Sequence, residues 1–167
     1  ILSPIIPDPE TPITVYPAPK LEGYRNNVEL TIGRDLEGKI CVGFNLGSRV
    51  EDIIAPIKST FSCPERAPEL AEKIRQFVVD SGVPIFDRIT HTGHWKFVSI
   101  RSNEANEVML MMVIYKTIEQ EIVDSFKEAF ENEVDSLYFC ETESFESLGQ
   151  NPVLKHLSGK EYLIETL

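Results

Sequence analysis

The chain has 167 residues, 16 Lys+Arg against 27 Asp+Glu for a formal net charge of −11, and 42% apolar content. That size and apolar share suit one domain that buries roughly 70% of the surface of its unfolded chain, which excludes disorder as the global state. No apolar run reaches the ~18 residues of a membrane span, and bulk acidity argues against nucleic acid as a partner of the chain taken whole.

Six of the eleven prolines fall in residues 1–19: Pro4, Pro7, Pro9, Pro12, Pro17 and Pro19. Proline has no amide proton to give a helix or an inner strand, so residues 1–20 read as an extended lead-in, and residues 21–167 as the domain it drapes on. Apolar Ile5, Ile6, Ile13 and Val15 interleave with those prolines, which favours packing over a polyproline ligand. From Tyr24 the pattern has period two. Val28, Leu30 and Ile32 alternate with Asn27, Glu29 and Thr31, predicting a half-buried strand. Turn residues follow at 34–39, then a second strand at 40–46, giving a hairpin with a loop of more than two residues. A short strand at 53–57 contains Pro56 and belongs at a sheet edge.

Residues 64–82 switch to helical spacing, with Leu70, Ile74, Phe77 and Val78 on one stripe and Gly82 as its terminating glycine. Beyond a loop around Pro84, Trp95, Phe97 and Ser99 alternate with Lys96, Val98 and Ile100 as a further strand. Residues 108–115 are apolar on both faces, the mark of a central strand. Thr117 and Gln120 form a capping-box pattern that opens a helix with the stripe Ile118, Ile122, Phe126 and Phe130. A strand at 137–140, a polar loop to Pro152 and a final hairpin turning at Ser158-Gly159 complete the chain. The fold class expected is α+β, a mostly antiparallel sheet with two helices packed on one face.

The acidity is local. Residues 1–103 carry a net charge of −1 and residues 104–167 a net charge of −10. Glu119, Glu121, Asp124, Glu128, Glu131, Glu133 and Asp135 lie mostly off the apolar stripe of the second helix, as a solvated face does. Nucleic-acid contact elsewhere on the surface therefore stays open.

Chemistry-bearing motifs are few. Gly43 and Gly47 lie in and just after a strand with no helix following, so there is no phosphate loop or dinucleotide fingerprint. His91 and His94 form one loose pair with no cysteine pair to complete a zinc site, so no metal is expected. Cys41, Cys63 and Cys140 are too scattered for a disulfide framework and point to a reducing compartment. Cys41 and Cys140 read as core thiols, and Cys63 as a cap or buried thiol. Two clusters remain: Tyr24-Arg25-Asn26-Asn27, and residues 91–96 with Arg101. Aromatic rings beside guanidinium and amide donors suit phosphate and unpaired-base contact. The same residues also suit a structural role, with Trp95 as a core plug, His94 bonded to backbone and Arg25 paired with an acidic neighbour.

Those clusters also carry a resemblance. Tyr24-Arg25-Asn26-Asn27-Val28-Glu29-Leu30, Val42-Gly43-Phe44-Asn45-Leu46-Gly47, Thr92-Gly93-His94-Trp95-Lys96 and Val98-Ser99-Ile100-Arg101-Ser102 are similar, in order and spacing, to signatures of the central region of the RNA uracil-5-methyltransferase family. The likeness is nearest to the eukaryotic tRNA (uracil-5-)-methyltransferase homologues. His156-Leu157-Ser158-Gly159-Lys160-Glu161-Tyr162 resembles the segment that precedes the family's Rossmann-like methyltransferase domain.

The resemblance implies a parent enzyme that uses S-adenosylmethionine to methylate uracil C5 in structured RNA. A cysteine attacks C6, C5 takes the methyl group, and a base removes the C5 proton. In the family those groups and the methyl-donor pocket lie in the downstream domain, and Cys41, Cys63 and Cys140 match none of them. The expectation is a central-domain piece of a longer chain, with no catalytic residue and no cofactor of its own. Its RNA-binding residues would be Tyr24, Arg25, Asn26, His94, Trp95, Lys96 and Arg101. Its partners would be tRNA (alternatively ribosomal RNA) and its own methyltransferase domain, with no membrane. The location implied is intracellular, in cytoplasm or nucleus, with the mitochondrion left open. Asn27 stands where the family usually has a basic residue. Cys63-Pro64 resembles one of four iron–sulfur ligands of the bacterial ribosomal-RNA branch, but the other three have no counterpart, so no cluster is expected. The competing expectation is a non-catalytic protein-interaction module that docks a partner through the acidic helix at 117–135.

Overall fold

Alternation of side chains from Asn27 onward builds the first strand, β1 (Asn27–Arg34), with Val28, Leu30 and Ile32 buried. The computed structural model describes residues 16–17, 21–47, 53–58, 62–146 and 148–165. The lead-in expected at residues 1–20 lies outside them, apart from exposed Tyr16 and Pro17. β1 pairs antiparallel with β2 (Ile40–Asn45). The Asp35 carboxylate organises the turn between them, accepting from the amides of Glu37 at 2.9 Å and Lys39 at 3.0 Å. β3 (Ile54–Pro56) forms the proline-containing edge.

Helix α1 (Ala67–Ser81) ends as expected at Gly82, whose left-handed backbone (φ 64°) lets its amide donate to the Val79 carbonyl. The strands β4 (Trp95–Ser102) and β5 (Val108–Tyr115) form the sheet centre, followed by α2 (Gln120–Phe130), β6 (Ser136–Thr142) and β7 (Val153–Gly159). The seven strands run in the order β3-β2-β1-β4-β5-β6-β7. Every pairing is antiparallel except β5 with β6, which α2 joins as a crossover. Leu70, Ile74 and Val78 of α1, with Val123, Phe126 and Phe130 of α2, close one face of this sheet against Leu30, Trp95, Val98, Leu110, Met112 and Phe139. The α+β expectation is borne out.

Three local expectations are corrected. A bulge between Trp95 and Phe97 shifts the register, so Trp95 pairs with Ile114 and Phe97 with Val113. Trp95 thereby joins Val98 and Ile100 in the core instead of sharing a face with Phe97. The capping box does not form: Glu119 is the N-cap residue and makes no side-chain cap. Thr117 instead donates to the Glu141 carboxylate at 3.3 Å. Among the described residues no strand follows Ser158-Gly159 to complete the expected hairpin. β7 ends at Gly159, and the Lys160 amide bonds to the Asp135 carbonyl at 2.7 Å, laying residues 160–165 along the sheet end.

Candidate nucleic-acid interface

Antiparallel pairing of β1 with β4 sets Asn27 opposite Arg101 and Thr31 opposite Phe97. The residues expected to meet RNA therefore divide between the two ends of one strand pair. Lys96 and Arg101 are five positions apart on β4, or roughly 16 Å at a strand's rise per residue.

At one end lie Tyr24, Arg25, Asn26 and Arg101, all exposed. Their backbone is fixed while the side chains stay outward. The Arg25 amide donates to the Ser62 carbonyl at 2.9 Å, and the Ser102 amide to the Asn26 carbonyl at 2.8 Å. Tyr24 is 59% exposed, so its ring has a face to offer. Asn27, at the position where the resembled family usually has a basic residue, accepts from the Ser99 hydroxyl at 3.0 Å and is the strand partner of Arg101.

At the other end the three expected residues turn inward. Trp95 is fully buried and stands edge-on to Phe77 and Phe139. Its ring has no outer face, and the plug role weighed for it is the one it fills. His94 places Nδ1 3.0 Å from the Tyr115 carbonyl, a backbone bond that orients the half-buried ring. Lys96 is 5% exposed, and its ammonium donates to the Ser144 carbonyl at 2.7 Å. That Nζ also lies 5.5 Å from the Phe86 ring centre and 5.8 Å from that of Phe97. Burial, with Arg88 nearby adding repulsion, pushes its pKa down to about 8.

The loop between α1 and β4 presents several groups to solvent at this end. Asp87 organises it, its Oδ1 accepting from Ile89 N at 2.7 Å and Thr90 N at 2.9 Å. The amides of Thr90 and Ile89 hold that carboxyl below its usual pKa. Arg88, Ile89 and His91 are presented outward. The His91 ring stacks on Phe145, with centroids 3.7 Å apart and planes within 9°. Beside the loop is a cavity of about 360 Å3, lined in part by Thr31, Arg34, Arg88, Thr92, Lys96 and Phe97. Arg88 and Phe145 were not among the residues singled out from sequence. Phe145 carries no local signal, because the loop it occupies reads only as polar.

Elsewhere the acidic residues Glu121, Asp124 and Glu128 of α2 face solvent. Among the described residues no three His, Cys, Asp or Glu side chains converge as metal ligands, and no helix is long and apolar enough to cross a membrane. Cys41, Cys63 and Cys140 are all buried, and burial raises the pKa of Cys41 and Cys140.

No protein-family model matches the chain. Over 133 residues it is 30% identical to zinc finger CCCH domain-containing protein 24 of Arabidopsis thaliana, covering 68% of this chain and 16% of that protein. It is 26% identical over 169 residues to the tRNA (uracil-5-)-methyltransferase homolog A of Mus musculus, covering 92% of this chain and 27% of that one. An uncharacterized RNA methyltransferase of Caldanaerobacter subterraneus is 24% identical over 155 residues, covering 90% and 34%. The fold matches the crystal structure of the Pyrococcus abyssi tRNA (uracil-54, C5)-methyltransferase in complex with S-adenosyl-L-homocysteine. The TM-score is 0.71 at 21% identity, over 92% of this chain and 35% of that one. The chain thus spans about a sixth to a third of the length of these curated relatives. The resemblance to RNA uracil-5-methyltransferases read from the ordered motifs is borne out in sequence and in fold.

Proposed function

We propose that this chain, a relative of the RNA uracil-5-methyltransferases, is the RNA-positioning central domain of an S-adenosylmethionine-dependent tRNA uracil-5-methyltransferase. The observation that carries the proposal is the likeness along 92% of the chain to a tRNA (uracil-5-)-methyltransferase homologue, together with the same coverage by a tRNA uracil methyltransferase fold. The exposed cluster of Tyr24, Arg25, Asn26 and Arg101 supplies one aromatic ring, two guanidinium groups and an amide for that task.

S-adenosylmethionine would supply the methyl group in the parent enzyme. The described residues do not fit that donor, because α1 follows Arg66 and α2 follows Glu119 with no glycine-rich turn between strand and helix. Nor do the buried thiols offer a nucleophile. The chain's own part is to hold RNA beside a separate methyltransferase domain, with tRNA as substrate and ribosomal RNA as the alternative. The place of action is intracellular, with the tRNA it handles.

Equilibrium binding of the chain to a tRNA transcript across a salt series tests this. Arg25→Ala and Arg101→Ala should each weaken binding and flatten the salt slope by about one unit per lost phosphate contact. Equal binding by both variants would remove the cluster as the site. A chain that holds no RNA but captures a protein through the acidic face of α2 would favour the interaction-module role.

A further inference from the structure

The loop at residues 86–93 is built more tightly than a connection between α1 and β4 requires. Besides the two amides on the Asp87 carboxylate, the Asp87 amide donates to the Thr92 carbonyl at 2.8 Å and the His91 amide to the Asp87 carbonyl at 2.9 Å. The Thr90 and Thr92 hydroxyls meet at 2.8 Å. His91 is held at φ 55°, a left-handed backbone that few side chains adopt. This frame holds outward one cation, one aliphatic chain and one aromatic ring: Arg88, Ile89 at 77% exposure, and His91.

The ring is extended by a second element. Phe145, 44% exposed, lies flat on His91, and its other neighbour Tyr115 is 5.6 Å away, with the Lys116 ammonium 4.9 Å above the Tyr115 ring. The buried Phe86 ring also runs parallel to His91, with centroids 6.5 Å apart, and Phe145 is the ring of this group with apolar area left in water. Arg88 and Thr92 carry this surface into the adjoining cavity of about 360 Å3, which is within the range of small-ligand pockets. Asp87 and Glu146 also line that cavity. Two carboxylates there disfavour a run of phosphates and suit a base edge with a single backbone contact.

We propose that the His91–Phe145 stack is a platform for one unpaired RNA base, with Arg88 at the mouth of the adjoining cavity meeting the backbone beside that base. The proposal rests on the RNA-positioning role and narrows it to single-stranded, looped RNA. In an A-form duplex the base faces are hidden, whereas a loop offers them for stacking on aromatic rings. Stacking of this kind tolerates any base, so the platform selects for unpairedness and not for sequence.

The test compares two RNA probes of the same stem, one closed by a single-stranded loop and one fully paired, by fluorescence anisotropy. Wild type should hold the looped probe more tightly. His91→Ala and Phe145→Ala should each weaken the looped probe roughly tenfold and leave the paired one unchanged. Phe145→Trp, which keeps a flat ring, should retain the preference, and it guards against a loss caused by misfolding. A 2-aminopurine in the loop should change fluorescence with wild type and Phe145→Trp, but not with Phe145→Ala. If the alanine variants bind the looped probe as wild type does, or lose both probes equally, the stack only ties two loops together and the platform is refuted. Arg25→Ala and Arg101→Ala on the same probes report on the role beneath it. If they weaken binding while the ring variants do not, the platform fails and the RNA-positioning role stands. If wild type holds neither probe, both fail.

Discussion

The indole N–H of Trp95 donates to the Ser81 hydroxyl over 3.3 Å, tying the start of β4 to the last residue of α1. That hydroxyl donates in turn to the Val78 carbonyl at 2.8 Å and accepts from the Val83 amide at 3.2 Å, so its donor and both lone pairs are in use. Ser81→Ala leaves the indole N–H unpaired in the core and should cost about 1–3 kcal/mol. Trp95→Phe removes the donor as well as volume. The double variant Ser81→Ala/Trp95→Phe should therefore lose less than the two single losses combined, as groups in direct contact do. Urea unfolding of the four proteins measures the coupling, and strict additivity would show that the bond contributes nothing.

Trp95 also shows where sequence pattern stops informing. Its type suited either base stacking or core filling, and period-two spacing placed it with Phe97. The bulge that separates them is a backbone event with no required residue, so nothing in Trp95-Lys96-Phe97 announces it. The β1–β2 hairpin was legible because its alternation and its Asp35 turn are both local. The parallel pairing of β5 with β6 was not, because strand order depends on where α2 packs. His91 and Phe145 lie on separate loops, and only the assembled sheet stacks them. The Tyr24–Asn26 and Arg101 cluster was found in both halves, but their meeting follows from the β1–β4 register alone.

Gly93 and Gly82 separate two reasons for glycine. Both have left-handed backbones, with φ 81° and φ 64°. A Cβ on Gly82 meets nothing within 4 Å, whereas one on Gly93 would lie 2.0 Å from the Ile85 carbonyl oxygen. Gly82→Ala should cost about 1 kcal/mol, the strain of the backbone angle. Gly93→Ala adds a clash with rigid backbone and should cost more than 2 kcal/mol, loosening the loop that carries His91. Thermal unfolding ranks the two, and equal losses would mean that the Gly93 loop shifts freely.

Asn103 clasps the end of the described chain. Its side-chain amide donates to the Glu107 carboxylate at 2.7 Å and to the Ile164 carbonyl at 2.9 Å, while its oxygen accepts from the Glu107 amide at 2.9 Å. Glu107 also pairs with Lys160, and that bond first, then Asn103, holds its carboxyl below the usual range. Asn103→Ala should speed hydrogen exchange across residues 160–165 while leaving the amides of β5 and β6 protected. Uniform protection in the variant would show that the bonds from the Lys160 amide to the Asp135 carbonyl and from the Tyr138 hydroxyl to the Glu161 carbonyl hold the segment without Asn103.

Lys96 gives the chain an alkaline signature whose sign can be worked out. Burial and the Arg88 charge bring its pKa down to about 8, against roughly 10.4 in an unfolded chain. Below about pH 8 both states carry the proton, and the folded state bears the whole cost of the buried ammonium. Between those two values the unfolded chain still binds a proton that the folded chain has released. Stability therefore rises with pH through that window, by at most on the order of 3 kcal/mol. The buried thiols of Cys41 and Cys140 act in the opposite sense, since their raised pKa keeps protons on the folded state as the unfolded one loses them. Lys96→Met isolates the lysine by keeping the apolar stem and removing the charge. The lost bond to the Ser144 carbonyl displaces the variant's curve but leaves its slope unchanged. Denaturant midpoints from neutral to alkaline pH should show wild type gaining on Lys96→Met as the pH rises. A constant difference would mean that Lys96 keeps its proton through the window, with the ammonium compensated by its surroundings.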